Sequence, residues 1–235
     1  MVIAGIVAGG VGSRMGGKTP KQFMELSGVP VIIRTVKSFL RSGSVDHVIV
    51  GITPSWCDYM KELCAKYDCR GVYVTPGGED RNATVENIIG FARNVLSAPD
   101  DTIILTHDAV RPFVSERMID DSIEALSSCE ICTAAVPATD TMIVSADGNT
   151  ADEFPLRSTM FNVQTPQSFR IGSFTDIMSR MTPEERAAAT DVCRLYKSKG
   201  FEVRLVRGET YNIKLTYPSD MIFAQALINA ENDSL

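Results

Sequence analysis

Histidines and long apolar runs are scarce in this sequence of 235 residues. Its only histidines are His47 and His107, and it has no G-x-S-x-G motif, so no residue stands out as a nucleophile that a histidine would activate. No apolar stretch approaches the roughly 20 residues of a membrane-spanning helix, and a strand pattern opens the chain in place of a signal peptide. We therefore expect a cytoplasmic protein that does not act at a membrane.

An excess of basic residues is also missing. The chain carries 23 Lys and Arg against 29 Asp and Glu, a formal net charge of −6. This balance argues against a general nucleic-acid-binding protein, so an anionic ligand must be held by a local group of cations. The six cysteines form no paired C-x-x-C modules, and we expect them to be reduced and to pack as small apolar side chains.

Short apolar runs alternate with stretches of helical spacing along most of the chain. This alternation predicts an α/β fold, a Rossmann-like and mostly parallel sheet flanked by helices, in one domain over residues 1–235. Strands are predicted at 2–8, 47–52, 71–74, 102–106, 131–136 and 202–206. Helices are predicted at 31–41, 56–67, 83–96, 116–126 with Ser115 as N-cap, 186–199 and 218–230.

The alternation stops between about residues 137 and 158. Extended residues at 140–145 and a turn at 146–149 predict a protruding β-arm. A two-stranded excursion is marginal by itself, so we expect the arm to pack on a second copy of the chain and form a homodimer. The alternative is a mobile surface insertion.

A glycine-rich segment, AGGVGSRM at residues 8–15, follows the first predicted strand. Its amides can turn toward an anion, while Arg14 and the nearby Lys21 supply positive charge. The letters of a Walker A motif occur at 12–19, but Pro20 stands where its helix should continue, and the dinucleotide pattern lacks its third glycine. The segment therefore predicts a cradle for phosphates.

Asp108 follows the predicted strand at 102–106. A carboxylate at the carboxyl end of a strand can hold a hard divalent cation together with phosphate oxygens, and we expect Mg²⁺ there. A cap on the following turn fits this position equally well, and Arg111 could brace the same loop with an ion pair.

The turn at residues 77–81, Gly-Gly-Glu-Asp-Arg, follows another predicted strand. Its backbone at Gly78 and Glu79 could pair with the edge of a nucleobase, with Thr84 as a side-chain partner. An ordinary solvated loop is the alternative.

Catalysis by these groups would need no protein base. A phosphomonoester with a second pKa of about 6 is largely dianionic at pH 7, so one phosphate can attack another once charge and alignment are supplied. Arg14, Lys21 and a metal ion at Asp108 suit that task.

Together these motifs resemble the CTP:polyol-phosphate cytidylyltransferases. Matching segments run in order through nearly the whole chain, at residues 8–15, 20–22, 77–81, 107–112, 140–141, 165–167 and 212–214. Members of that family join a sugar-alcohol phosphate to CMP and release pyrophosphate. The resemblance implies CTP and a polyol phosphate as ligands, Mg²⁺ as cofactor, and a homodimer through the arm.

The resemblance also implies a role for each matching position. The catalytic cations would be Arg14, Lys21 and Lys214. The CTP-binding residues would be Ala8, Gly9, Gly10, Gly12, Gly78, Glu79, Thr84 and Asp108, with Asp108 also on Mg²⁺. The residues for the polyol phosphate would be Asp140, Thr141 and Arg157, which the arm carries to the partner subunit, with Thr190 and Asp191. A helix cap is an equally good interpretation of Asp191.

Two departures bear on the acceptor. In the erythritol enzymes the corresponding loop resembles Leu-Ala-Ala-Gly, whereas this chain has VAGG at residues 7–10. Those enzymes also have alanine at the position of Val110. These differences favour D-ribitol 5-phosphate, an acceptor of wall-polymer (teichoic acid) synthesis, with 2-C-methyl-D-erythritol 4-phosphate of isoprenoid synthesis as the alternative. A nucleoside-diphosphate-sugar pyrophosphorylase and a nucleotide-binding regulatory module without turnover also stay open.

Overall fold

A seven-stranded sheet organises the chain in a computed structural model that describes residues 1–10 and 19–232. The strand order is β5-β4-β1-β6-β8-β7-β9, and β2 and β3 form a separate small hairpin. The strands are β1 Val2–Ala8, β2 Glu25–Leu26, β3 Val29–Pro30, β4 His47–Ile52, β5 Val72–Pro76, β6 Ile103–Asp108, β7 Ile131–Pro137, β8 Phe161–Arg170 and β9 Arg204–Arg207.

The sheet is mostly parallel, as predicted. Strands β5, β4, β1 and β6 run parallel to one another, β8 runs antiparallel between β6 and β7, and β9 is parallel to β7. The register places Val7 beside Gly51 on one side and Asp108 on the other. The carboxyl ends of three central strands therefore meet at one edge, where sheets of this kind bind ligands.

Helices cover both faces of the sheet. One apolar core, which includes Ile6 and Phe39, lies under α1, α2 and α4, and a second, with Ile88 and Phe169, lies under α3, α5 and α7. Helix α8 packs near Val110, close to the edge just described. The helices are α1 Val31–Arg41, α2 Cys57–Lys66, α3 Arg81–Leu96, α4 Glu116–Ala125, α5 Ile171–Ser179, α6 Pro183–Ala188, α7 Val192–Ser198 and α8 Pro218–Asn232.

The predicted elements of the first 136 residues hold to within about two residues at each end, the usual uncertainty of a boundary. The side chain of Ser115 accepts a hydrogen bond from the N–H of Met118, which confirms it as the N-cap of α4. Helix α3 begins at Arg81 and not at residue 83, because Asp80 caps it by accepting from the N–H of Ala83 at 2.7 Å.

Two expectations about the second half are wrong. The sequence pattern predicts no element at residues 159–185, yet the long strand β8 and helix α5 lie there. The predicted helix at 186–199 is two helices, α6 and α7. Asp191 has extended backbone and caps α7, so the first helix cannot continue through it.

The predicted arm lies between β7 and β8. Within the described residues one backbone bridge joins its two halves, from Val144 to Glu153, so it is less paired than a regular hairpin. Its tip turns at Gly148 with φ +75°, and the Asp147 carboxylate accepts two backbone N–H groups at 2.8 Å. Its exposed large apolar side chains are Met142, Ile143, Val144, Phe154 and Leu156.

In the described part of the chain, none of the helices has the length and apolarity needed to cross a bilayer. All six cysteines are free thiols, and three of them, Cys64, Cys69 and Cys132, are buried, as expected for cysteines that pack as small apolar side chains.

Candidate active site

A cleft of about 410 Å³ opens at the carboxyl edge of the parallel strands. Its walls come from the ends of β1 and β6, the turn before α3 and the segment that follows β9. The predicted site residues that line it are Ala8, Gly9, Gly10, Lys21, Gly78, Glu79, Thr84, Asp108 and Lys214. Segments far apart in sequence thus converge where the motifs placed them.

The first wall is held in place by Gln22. This side chain is buried, and its Nε2 donates to the carbonyl of Ala8 at 3.0 Å. The contact fixes the short 3₁₀ turn Lys21–Phe23 against the end of β1, so that Lys21 lines the cleft. The predicted residues Gly12 and Arg14 lie outside the described residues.

The second wall is the turn before α3, and Thr84 holds its shape. The Thr84 hydroxyl donates to the carbonyl of Asp80 at 2.8 Å and accepts from the N–H of Gly78 at 3.1 Å. A Cβ at Gly78 would collide with Ala83, and one at Gly51 would come within 2.7 Å of the Thr84 methyl group. The turn therefore requires glycine at Gly78, and its contact with β4 requires glycine at Gly51. The hydroxyl proton of Thr84 is already used in the hydrogen bond to Asp80.

Asp108 is the centre of an ion-pair cluster. Its Oδ2 lies 2.9 Å from Nζ of Lys214 and 3.5 Å from Nε of Arg111, and its Oδ1 lies 3.6 Å from Nε of Arg81. Burial would raise the pKa of this carboxyl, but the charges of Arg81, Lys214 and Arg111 hold that pKa well below its usual range. The carboxylate is therefore ionised and engaged with side chains of the cleft, and the brace expected from Arg111 is present.

The segment that carries Lys214 is tied to the same loop. Nη1 of Arg111 donates to the carbonyl of Asn212 at 2.7 Å, and the fully buried amide of Asn212 donates to the carbonyl of Thr165 at 3.0 Å. The N–H of Leu215 donates at 3.0 Å to the carbonyl just before Arg111. The backbone on both sides of Lys214 is thereby fixed, and its side chain reaches Asp108 from a rigid base.

His107 serves this scaffold. Its Nδ1 lies 3.0 Å from the Thr165 hydroxyl and its Nε2 lies 3.0 Å from the carbonyl of Arg111. Burial lowers the pKa of His107 to about 4, so the ring is neutral near pH 7. The histidine positions the loop that carries Asp108 and Arg111.

The predicted acceptor-binding residues do not line the cleft of their own chain. Asp140, Thr141 and Arg157 are exposed on the arm, and Thr190 is exposed between α6 and α7. Asp191 accepts at 3.0 Å from the backbone N–H of the third residue of α7, so it is the helix cap that the sequence allowed. Their roles toward the acceptor stay predictions.

Arg81 is a site residue that sequence reasoning missed. Its motif allowed a solvated loop, but its side chain is only 20% exposed and lines the cleft. Its two terminal amino groups are buried and have no hydrogen-bond partner among the described residues. The available signal was position: an arginine that opens a helix just after the carboxyl end of a strand faces the ligand edge of the sheet.

The chemistry of the cleft is electrostatic. Within the described residues, its lining holds three cations, Lys21, Arg81 and Lys214, one buried carboxylate, Asp108, and two exposed carboxylates, Glu79 and Asp80, next to a glycine-rich backbone. Arg111 adds a fourth positive charge through its ion pair with Asp108. Such an arrangement can hold a polyphosphate and stabilise charge on a transferring phosphoryl group.

A family model described as IspD, 2-C-methyl-D-erythritol 4-phosphate cytidylyltransferase, matches residues 2–230 of the chain. The chain is also similar to solved structures. It is 28% identical to the crystal structure of 4-diphosphocytidyl-2C-methyl-D-erythritol synthase from Anaerococcus prevotii DSM 20548, with a TM-score of 0.78, over 97% of this chain and 96% of that one.

Two further crystal structures give the same result. One is a 4-diphosphocytidyl-2C-methyl-D-erythritol synthase at 26% identity and TM-score 0.80, over 97% of this chain and 99% of that one. The other is the 2-C-methyl-D-erythritol 4-phosphate cytidylyltransferase of Francisella tularensis at 25% identity and TM-score 0.79, over 96% of this chain and 98% of that one.

The family match covers almost the whole chain and confirms the resemblance to cytidylyltransferases. It decides for a CTP-dependent cytidylyltransferase over the regulatory module and the sugar pyrophosphorylase that the motifs left open. It does not support the preference for the ribitol branch. The chain belongs to the 2-C-methyl-D-erythritol 4-phosphate cytidylyltransferase (IspD) family and is a CTP-dependent nucleotidyltransferase.

Proposed function

We propose that the chain transfers CMP from CTP to 2-C-methyl-D-erythritol 4-phosphate, giving 4-diphosphocytidyl-2-C-methyl-D-erythritol and pyrophosphate. The family match over residues 2–230 carries the proposal. The two valines that favoured ribitol line the cleft, and each also packs in an apolar cluster, Val7 next to α3 and Val110 with the residues of α8. Neither side chain has a polar group that could form a hydrogen bond with a hydroxyl of the acceptor.

The reaction balances without a protein nucleophile. An oxygen of the acceptor phosphate attacks the α-phosphorus of CTP, a new P–O–P linkage forms, the bond from the α-phosphorus to the β-phosphate oxygen breaks, and pyrophosphate leaves. The acceptor phosphate is largely dianionic at pH 7 because its second pKa is about 6. Lys21 and Lys214 from the cleft, with Arg14 by its motif, stabilise the charge that builds up at the α-phosphate.

The donor chemistry of the cleft fits Mg²⁺ as the companion of the triphosphate. Mg²⁺ is usually held by one or two carboxylates plus substrate phosphates, and Asp108 supplies one ionised carboxylate at the cleft wall. The described residues hold no group of three acidic, histidine or cysteine side chains that could form a protein cage. When bound there, the ion would screen the triphosphate and polarise the α-phosphoryl group.

The arm is the proposed contact with a second copy of the chain. Phe154 and Leu156 are 68% and 70% exposed on it, which places apolar surface in water unless a partner covers it. A Phe154→Asp/Leu156→Asp variant should shift the molar mass measured by light scattering from dimer to monomer. Val95→Asp, at an exposed apolar residue of α3, is the control and should stay a dimer. A wild-type monomer would refute this contact.

The acceptor is tested by pyrophosphate release. Purified protein with CTP and Mg²⁺ is given 2-C-methyl-D-erythritol 4-phosphate or D-ribitol 5-phosphate, each over a full concentration range. We expect a kcat/KM for the erythritol compound that is higher by at least about 100-fold, because the two acceptors differ in a methyl branch, in chain length and in the number of free hydroxyls. A higher kcat/KM for ribitol 5-phosphate would overturn the proposal and restore the ribitol reading.

A further inference from the structure

Asp108 is surrounded by more positive charge than it can balance. Among the described residues, three cations lie within 3.6 Å of this carboxylate, so the ion-pair cluster itself carries two positive charges in excess. The other carboxylates of the cleft wall, Glu79 and Asp80, are exposed and form no ion pair with the cluster among the described residues. Two of the cations, Arg81 and Arg111, have side chains only 20% and 10% exposed, so water screens them weakly. A divalent cation that approaches Asp108 alone is therefore repelled by the groups around its ligand.

The same cluster is prepared for an anion. The terminal amino groups of Arg81 are buried without a partner among the described residues, although each is a strong donor. Phosphate oxygens in the cleft would satisfy them. A nucleoside triphosphate also carries enough negative charge to reverse the excess of positive charge around Asp108.

Lys214 is the cation best able to move. Arg111 is held by its bond to the carbonyl of Asn212, and Arg81 is largely buried at the start of α3. The Lys214 side chain is 43% exposed on a flexible four-carbon stem. Its ammonium can leave the Asp108 oxygen, 2.9 Å away, while the backbone stays fixed.

We propose that Lys214 closes Asp108 to a divalent cation until CTP arrives, so that metal and nucleotide bind only together and the Lys214 ammonium exchanges the carboxylate for a phosphate. The inference rests on the proposed function and on Asp108 as its metal ligand. Under this proposal Lys214 controls access of the metal to Asp108, in addition to its proposed contact with the phosphates of CTP.

Water-proton relaxation with Mn²⁺ tests this directly, because the signal is enhanced when Mn²⁺ is on the protein and the test needs no turnover. Mn²⁺ is titrated to about 1 mM, the range of weak sites, with and without CTP. The proteins compared are wild type, Lys214→Met and Lys214→Met/Asp108→Asn. The control is Lys199→Met, another lysine paired with a carboxylate, Glu185 at 2.7 Å, which does not line the cleft.

We expect wild type and Lys199→Met to bind Mn²⁺ at least about tenfold more tightly with CTP than without it. Lys214→Met should gain at least about tenfold in Mn²⁺ affinity without CTP, and Asp108→Asn in that background should remove the gain. Where Lys214→Met does not fold, by circular dichroism, Lys214→Gln takes its place.

The inference would be overturned if CTP changed the Mn²⁺ affinity of the wild type at Asp108 by less than tenfold. It would also be overturned if the Lys214 variant gained no Mn²⁺ affinity without CTP. Pyrophosphate release is measured on the same preparations. Turnover together with ungated Mn²⁺ binding refutes this inference alone, whereas a wild type that binds Mn²⁺ with CTP but releases no pyrophosphate from either acceptor refutes the proposed function.

Discussion

Replacing Asp108 by asparagine should destabilise the fold strongly. Asparagine keeps the shape of the side chain but removes the one negative charge that Arg81, Arg111 and Lys214 share. Removing one partner of a buried ion pair typically costs about 3–5 kcal/mol, because the remaining charge is left buried without compensation. Asp108 is itself 8% exposed, so we expect a loss of about that size in the free energy of unfolding.

Removing Lys214 should have a much smaller effect. Asp108 keeps Arg81 and Arg111 as partners, and the half-exposed ammonium no longer repels them. We expect Lys214→Met to change the free energy of unfolding by less than about 1 kcal/mol, the range of exposed ion pairs. The matched control for the aspartate is Asp176→Asn, which breaks only a surface pair with Arg180 and should also cost less than about 1 kcal/mol.

Urea unfolding followed by circular dichroism measures these differences, and pH gives an independent check. The cations lower the pKa of Asp108 in the folded state, so its contribution to stability is complete well above the unfolded value of about 4 and is lost as the pH falls below it. The difference in the free energy of unfolding between wild type and Asp108→Asn should therefore have its full size at pH 7 and become smaller below about pH 4. A variant within about 1 kcal/mol of wild type at pH 7 would refute the charge balance described for the site.

Three further predictions concern ligand binding, activity and stability. Lys21→Ala should leave the Kd for CTP, measured by calorimetry, within about tenfold while kcat falls by about 100-fold or more; equal losses would contradict its role at the α-phosphate. Gly51→Ala should weaken CTP binding and cost about 1–3 kcal/mol in urea unfolding, because its Cβ would press on Thr84. Arg157→Ala should raise the KM for the acceptor more than that for CTP, and mixed dimers with Lys21→Ala should regain activity; mixed dimers without rescue would show that the arm does not act on the partner subunit.

The parallel half of the sheet could be predicted because its strands are uninterrupted apolar runs between helical patterns. Strand β8 could not. It carries Pro166 and a set of buried polar side chains, including Gln164, Gln167 and Ser168, which local patterning assigns to a loop. The partner of the Gln164 amide lies far away in sequence, since its Nε2 donates to the carbonyl of Glu209.

The site was predictable where a motif and a strand end coincide, as at Ala8 and Asp108. Local sequence does not show that the Arg81 guanidinium is enclosed. Its enclosure depends on the packing of α3 across β4 and β1, which brings Arg81 to Asp108 at the end of β6. The sequence pattern predicts helix through residues 189–191, since a capping aspartate within a helical spacing has the same pattern as any other polar residue of a helix. The position of the arm could be predicted from the sequence. The surface that it would contact could not, because that contact would be made with a second copy of the chain.

The most direct test of the proposed function is ³¹P NMR of the products from CTP, Mg²⁺ and 2-C-methyl-D-erythritol 4-phosphate. We predict that the acceptor monoester signal is replaced by two coupled signals of an asymmetric diphosphate diester, together with one equivalent of free pyrophosphate. An unchanged acceptor signal, with the diester formed only when D-ribitol 5-phosphate is supplied or with CTP merely hydrolysed to CMP, would contradict it.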